Sequence, residues 1–146
     1  MSIEQERFAL ALHNCARSWR NALDRRLKSL DLSQAAWMTI AMVARNREPL
    51  SQIDLANKLG VEGATMVSML DRLVKAELIE RQPCESDRRV KQIALTAKGK
   101  EIHGELRKRA DSFRTQILQE LDQKQLSDIA NTLESLTLRI ENTREE

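Results

Sequence analysis

Apolar positions recur along most of this chain at helical spacing. Phe8, Leu12, Cys15, Trp19, Leu23, Leu27 and Leu30 follow one another every three or four residues, which predicts one long helix over residues 3–30. At 1.5 Å per residue it would run about 40 Å, more than one small core covers, so part of its stripe should meet a partner chain. A second helix is expected from the N-cap Ser33 to about Arg45, with Trp37, Ile40, Met42 and Val43 inward. Asn46 to Pro49 break it, since the residue before a proline disfavours helix.

The stretch 51–96 changes rhythm. Ser51 with Asp54 reads as a capping box opening a third helix, and Gly60 as its left-handed terminator. A fourth helix is expected over 63–76, with Val67, Leu70, Leu73 and Val74 inward and Thr65, Ser68, Met69 and Arg72 outward. That outward face is small and polar at its start, as a surface that must approach base edges would be. The plain alternative is a helix buried on both sides. Two strands follow, Leu78–Gln82 and Lys91–Leu95, around the polar loop PCESDRR, and Thr96 is placed to cap the next helix. Two further stripes close the chain. One steps from Ile102 through Leu106, Ala110, Phe113 and Ile117 to Leu121, within 97–122, and the other from Leu126 to Ile140, within 126–144. Asp122 to Lys124 make the break.

The fold class expected is mainly α with a small β-wing, in a single domain over 1–146. A winged helix-turn-helix lobe would span 33–96, with its helix-turn-helix at 51–76 and its wing at 78–96. Residues 1–30 and 97–146 would supply dimerisation helices.

Composition narrows this reading. Four Gly and two Pro in 146 residues leave little room for long loops. The formal net charge is only +2, but residues 81–100 hold six basic and two acidic side chains, so the most basic block is the expected wing and its continuation. A solvated charged face would look the same without the surrounding motif. The opening MSIEQERF has no apolar core of a signal peptide, and no apolar run nears the roughly 20 residues of a membrane span. Cys15 and Cys84 form no CxxC pair, which fits a reducing, cytoplasmic setting without a membrane partner.

At this point the sequence is recognisable. WRNALDRRLKSLDLSQAAW, SQIDLANKLGVE, MLDRLVKAELIERQ and above all CESDRRVKQIALTAKGK make it resemble the MarR family of bacterial winged-helix regulators, and within it the SlyA-like branch. The last stretch holds that family's D-x-R wing followed by LTxxG, here Asp87, Arg89, Leu95, Thr96 and Gly99. The resemblance implies an obligate homodimer with intertwined terminal helices, binding double-stranded DNA at a pseudo-palindromic site, to repress or to activate. Half-sites would lie roughly 10 base pairs apart. One departure is visible: SlyA-like recognition helices often carry an Arg in mid-face, and Ser68 stands there.

The DNA contacts expected are Thr65 and Ser68 to base edges or phosphates, Ala64 and Met69 to a thymine methyl, and Gln52 and Arg72 to phosphates. Arg88 and Arg89 are expected in an A·T-rich minor groove. Asp87 would pair with Arg89 or Arg72 and shape the wing so that Arg88 projects. The resemblance also implies a cleft for small aromatic carboxylates such as salicylate, where Arg17 would pair with the carboxylate and Trp37 stack on the ring. Trp37 in the core and Arg17 in a surface ion pair is the plainer assignment.

A thiol-based redox-sensing regulator using Cys15 or Cys84 is the alternative. Cys15 lies on the apolar stripe and reads as a small core residue, whereas Cys84 reads as exposed. No enzyme is expected: acid pairs, a Ser-His-Asp pattern and a phosphate loop are all missing. His13, Cys15, Cys84 and His103 lack zinc-ligand spacing, so no cofactor or metal is expected.

Overall fold

The computed structural model describes residues 2–143. Its elements run α1 (Ile3–Leu27), α2 (Gln34–Arg45), β1 (Leu50–Ser51), α3 (Gln52–Leu59), α4 (Gly63–Lys75), β2 (Ile79–Pro83), β3 (Lys91–Leu95), α5 (Ala97–Leu118) and α6 (Gln123–Asn142). The chain forms two compact units, 1–111 and 112–146.

In the first unit, local chemistry sets most boundaries. Ser2 and Gln5 form a reciprocal capping box at the start of α1. That helix stops at Leu27 rather than 30, and Lys28–Leu30 tighten into a 3-10 turn closed by Asp31 in the left-handed region. The Ser33 hydroxyl accepts from the Ala36 N–H at 3.2 Å. Ser51 and Asp54 cap α3 reciprocally, both bonds at 3.1 Å. Gly60, at φ 66°, ends α3, with the Val61 N–H bonded to the Ala56 carbonyl and its own N–H to that of Asn57.

A three-stranded antiparallel sheet replaces the two strands expected. Its order is β1-β3-β2, with Leu50 opposite Ile93 and Arg81 also opposite Ile93 from the other side. The core lies between this sheet and α2–α4. Ile40, Leu55, Met66 and Leu70 are fully buried there, with Leu73, Leu78, Ile79 and Ile93 nearly so.

The orientation of α4 differs from the sequence expectation. Met66, Met69, Leu70 and Leu73 face the core, while Val67 and Val74 sit at its flank, over a third exposed. Six apolar residues in nine cover more than half the helix circumference, so spacing alone admits either face. Buried Thr39 helps decide it: its hydroxyl hydrogen-bonds the Ala35 carbonyl at 2.8 Å and lies 3.4 Å from the Met69 sulfur.

The turn from α4 into β2 is fastened by the start of α5. Glu77 takes a left-handed conformation, φ 62°. The Thr96 hydroxyl donates to the Glu77 carbonyl at 2.6 Å and accepts from the Gly99 N–H at 3.0 Å, and the Lys98 ammonium donates to the Ala76 carbonyl at 3.1 Å. The LTAKG stretch is therefore both the cap of α5 and the clamp on the exit of α4.

In the second unit, Asp122 and Gln125 form a capping box, so α6 begins at Gln123, earlier than the expected 126. Helix α5 stops at Leu118 rather than 122, and position 144 of the expected range lies outside the described residues. None of the described α6 residues is buried: Ile129, Leu133 and Ile140 remain exposed, and Leu126 and Leu136 half-exposed. The N-terminal half of α1 is similar, with Phe8 and Leu12 exposed and only Leu23 and Leu27 buried.

Candidate nucleic-acid interface

Helix α4 presents Ala64, Thr65, Ser68 and Arg72 to solvent along one face, and Asp71 shares it, one turn beyond Ser68. Met69, expected among these contacts, is buried at 8% exposure and cannot reach a thymine methyl without leaving the core. The usable surface is small side chains at the helix start, then the Asp71 carboxylate, the Arg72 guanidinium and, in the last turn, the Lys75 ammonium.

The wing is a hairpin whose loop is closed by its own backbone. The Cys84 N–H bonds the Val90 carbonyl at 2.9 Å, and the Val90 N–H bonds that of Asp87 at 3.0 Å. The Asp87 carboxylate accepts from the Arg89 N–H at 3.0 Å and lies 3.5 Å from Arg89 Nε. It therefore folds the loop tip as an Asx turn and faces Arg89, with Arg72 not among its contacts. The Arg89 side chain is nevertheless 94% exposed, and Arg88 beside it is exposed too. Two guanidiniums thus stand off the tip, one tethered loosely at its base.

Sequence spacing gave no hint of the contact between these two parts. From β2, Arg81 reaches both helices of the motif: one terminal nitrogen lies 2.7 Å from an Asp71 carboxylate oxygen, and Nε donates to the Gln52 amide oxygen at 3.1 Å. Residues 52, 71 and 81 share no periodicity that would have linked them. Gln52, expected to touch phosphate, therefore has its oxygen engaged and its amide nitrogen as the remaining donor.

Arg17 and Trp37 make separate contacts. Arg17 is exposed and donates to the Asn14 side chain at 3.3 Å, while Trp37 is buried and its indole N–H donates to Asp24 at 3.2 Å. A cavity of about 310 Å³ lies nearby, bounded by Arg20, Gln34, Ala35, Met38, Leu59, Val61, Thr65 and Met69. It joins α1 and α2 to α4 through Thr65 and Met69.

The cysteines also depart from expectation. Cys15 is exposed rather than core, and Cys84 is half-buried. The Cys84 thiol lies 3.1 Å from the Ser86 hydroxyl, and that bond, then the Asp87 and Ser86 backbone N–H groups, hold its pKa below the ordinary thiol value. His103 is pushed down from 6.5, first by burial and then by the Arg107 and Arg45 guanidiniums. Among the described residues no three His, Cys, Asp or Glu side chains gather as a metal site, and no helix is long and apolar enough to cross a membrane.

The fold and the sequence both have known relatives. Residues 32–91 match the model of the MarR family. The transcriptional regulator PA3341 is 36% identical, its structure covering 92% of this chain and 98% of its own with a TM-score of 0.87. Staphylococcus aureus MepR, solved in complex with DNA, shares the fold at 19% identity, 91% and 96% coverage and a TM-score of 0.77. S. aureus MarR, solved with salicylate and kanamycin, does so at 17% identity, 97% and 95% coverage and a TM-score of 0.83. The chain belongs to the MarR family of transcriptional regulators.

Proposed function

We propose that the protein is a SlyA-like homodimer that binds a pseudo-palindromic, A·T-rich operator and, by occupying it, represses or activates transcription from the bacterial cytoplasm. The observation that carries this reading is one lobe presenting a small, polar α4 face and two projecting wing arginines, Arg88 and Arg89. The first fits a major groove and the second a narrow minor groove. The unburied stripes of α1 and α6 each call for a covering surface, and a second copy supplies both at once. MepR's complex with DNA supports the same use of the fold. The protein should shift a duplex from its own upstream region at nanomolar concentration and leave a scrambled duplex free at the same salt. Equal affinity for both would sink the reading.

Release by a small aromatic carboxylate belongs to the same proposal, with Arg20 replacing Arg17 and Trp37 as the anchor. The cavity beside Arg20 is walled by Thr65 and Met69 of the recognition helix, so an occupant would press on the element that docks in DNA. Salicylate should weaken operator binding in the wild type but not in Arg20→Ala. No effect at millimolar ligand rules out this effector class.

The thiol reading keeps one specific support, the hydrogen bonds that lower the Cys84 pKa within the wing itself. Peroxide treatment before operator titration tests it. Loss of binding that Cys84→Ser prevents would favour it over the carboxylate reading.

A further inference from the structure

We propose that Arg81 is a positioning residue for DNA recognition: it masks the Asp71 carboxylate on the recognition helix and orients Gln52 toward phosphate. The proposal rests on the DNA-binding reading above. Its basis is one planar group held between two helices. The Arg81 side chain is only 25% exposed, and its guanidinium touches Asp71 on α4 at 2.7 Å and Gln52 on α3 at 3.1 Å.

The first role follows from where Asp71 lies. It is three residues beyond Ser68 and seven beyond Ala64, on the face that would enter the groove, and its side chain is 60% exposed. A bare carboxylate there would repel the phosphates lining the groove. Arg81 places a fixed positive charge against it without projecting into the groove itself.

The second role follows from the chemistry of the partners. A guanidinium has five donors and no acceptor, so the Gln52 amide must turn its oxygen to Arg81 Nε. Its NH₂ group is then left as the side chain's donor at the N-terminal turn of α3, where a phosphate is favoured by the helix dipole. One arginine therefore fixes both the donor on α3 and the net charge of α4, and ties both to the wing strand. A lysine could neutralise Asp71 but could not serve two partners from one rigid plane.

The test uses full-length protein, a duplex selected by the wild type from a random library, and a scrambled duplex of equal composition. R81Q should lose about tenfold or more in specific affinity, the scale of a lost charged hydrogen bond. Adding D71N to R81Q should recover at least about threefold, because it removes the unmasked charge. A purely structural role predicts the opposite, since the double variant keeps fewer contacts. R81K, the conservative change expected to keep the fold, should lose specific affinity while binding the scrambled duplex within about twofold of wild type, since that binding depends on charge. The proposal is overturned if R81K matches the wild type on the selected duplex, or if D71N gives no recovery in a folded R81Q protein. A wild type that selects no sequence overturns the DNA-binding reading itself.

Discussion

The Leu78 carbonyl oxygen occupies the space that a side chain at Gly99 would need. The obstacle is backbone, so it cannot turn aside, and α5 begins this close to the α4–β2 turn only because residue 99 lacks a Cβ. Gly99→Ala should push the helix start off that turn and strain the bonds made by Thr96 and Lys98. We expect a destabilisation of about 1–3 kcal/mol, read from the denaturant midpoint at fixed protein concentration. Gly104 on the same helix has open space around it, and Gly104→Ala should instead be neutral or stabilising. Equal effects at both sites would contradict the steric account.

Glu77 sits two residues past the end of α4 with a positive φ, a conformation that costs a non-glycine residue about 1 kcal/mol or more. Its carbonyl is held by the Thr96 hydroxyl, so the backbone there is specified by the clamp and not by the side chain. Glu77→Gly should therefore raise stability by up to about 1 kcal/mol, with the gain from relieved strain exceeding the flexibility added to the unfolded chain. A fall in thermal midpoint would show that the Glu77 side chain carries stability of its own.

Met69 and Ser68 are neighbours in sequence with opposite duties. Met69 is in the core against Thr39, so Met69→Ala should cost about 2–5 kcal/mol of stability. Ser68 is exposed, so Ser68→Ala should leave the melting curve within about 0.5 kcal/mol and change operator preference instead. Melting curves and duplex titrations on both variants separate the two duties, and a stable Met69→Ala protein with altered base preference would reverse them.

Much of this was legible in the sequence because its cause is local. Ser33, Ser51 with Asp54, and Gly60 mark helix ends through bonds that reach no more than five residues. Strand β1 was not legible, because two residues carry no period and Leu50–Ser51 become a strand only by pairing with β3. The face of α4 was ambiguous for the same reason in another form: its apolar arc is wide, and α2 and the sheet choose which part is covered. Arg81 could be counted as charge but not placed. Its partners lie 10 and 29 residues away, and only the packing of β2 beside both helices brings them together.

At the wing, the two arginines should differ. Arg89 is tethered to Asp87, while Arg88 stands beside it on the same exposed tip. Arg88→Ala should weaken operator binding and flatten the dependence of log K on log salt by about one unit. Asp87→Ala should loosen the loop and release Arg89. Specific affinity then falls while binding to scrambled DNA rises, because one negative charge near phosphate is gone. A salt titration of all three proteins checks this, and an unchanged slope in Arg88→Ala removes that residue from the interface.

The pH dependence of folding has a defined source in His103. Burial and the facing Arg107 and Arg45 guanidiniums disfavour its protonated form in the folded chain. Its pKa is therefore lower folded than unfolded, and between those two values the unfolded chain binds more protons. The resulting stability is complete above the unfolded value of 6.5 and is lost as the pH falls from there through the folded value. His103→Gln cannot be protonated, so it should lose less stability than the wild type between pH 7 and pH 5. Denaturant midpoints across that range measure the difference. Parallel curves would mean that His103 keeps its ordinary pKa in the folded protein, whereas a crossing in the opposite sense would place an anion beside the imidazole strong enough to outweigh both arginines.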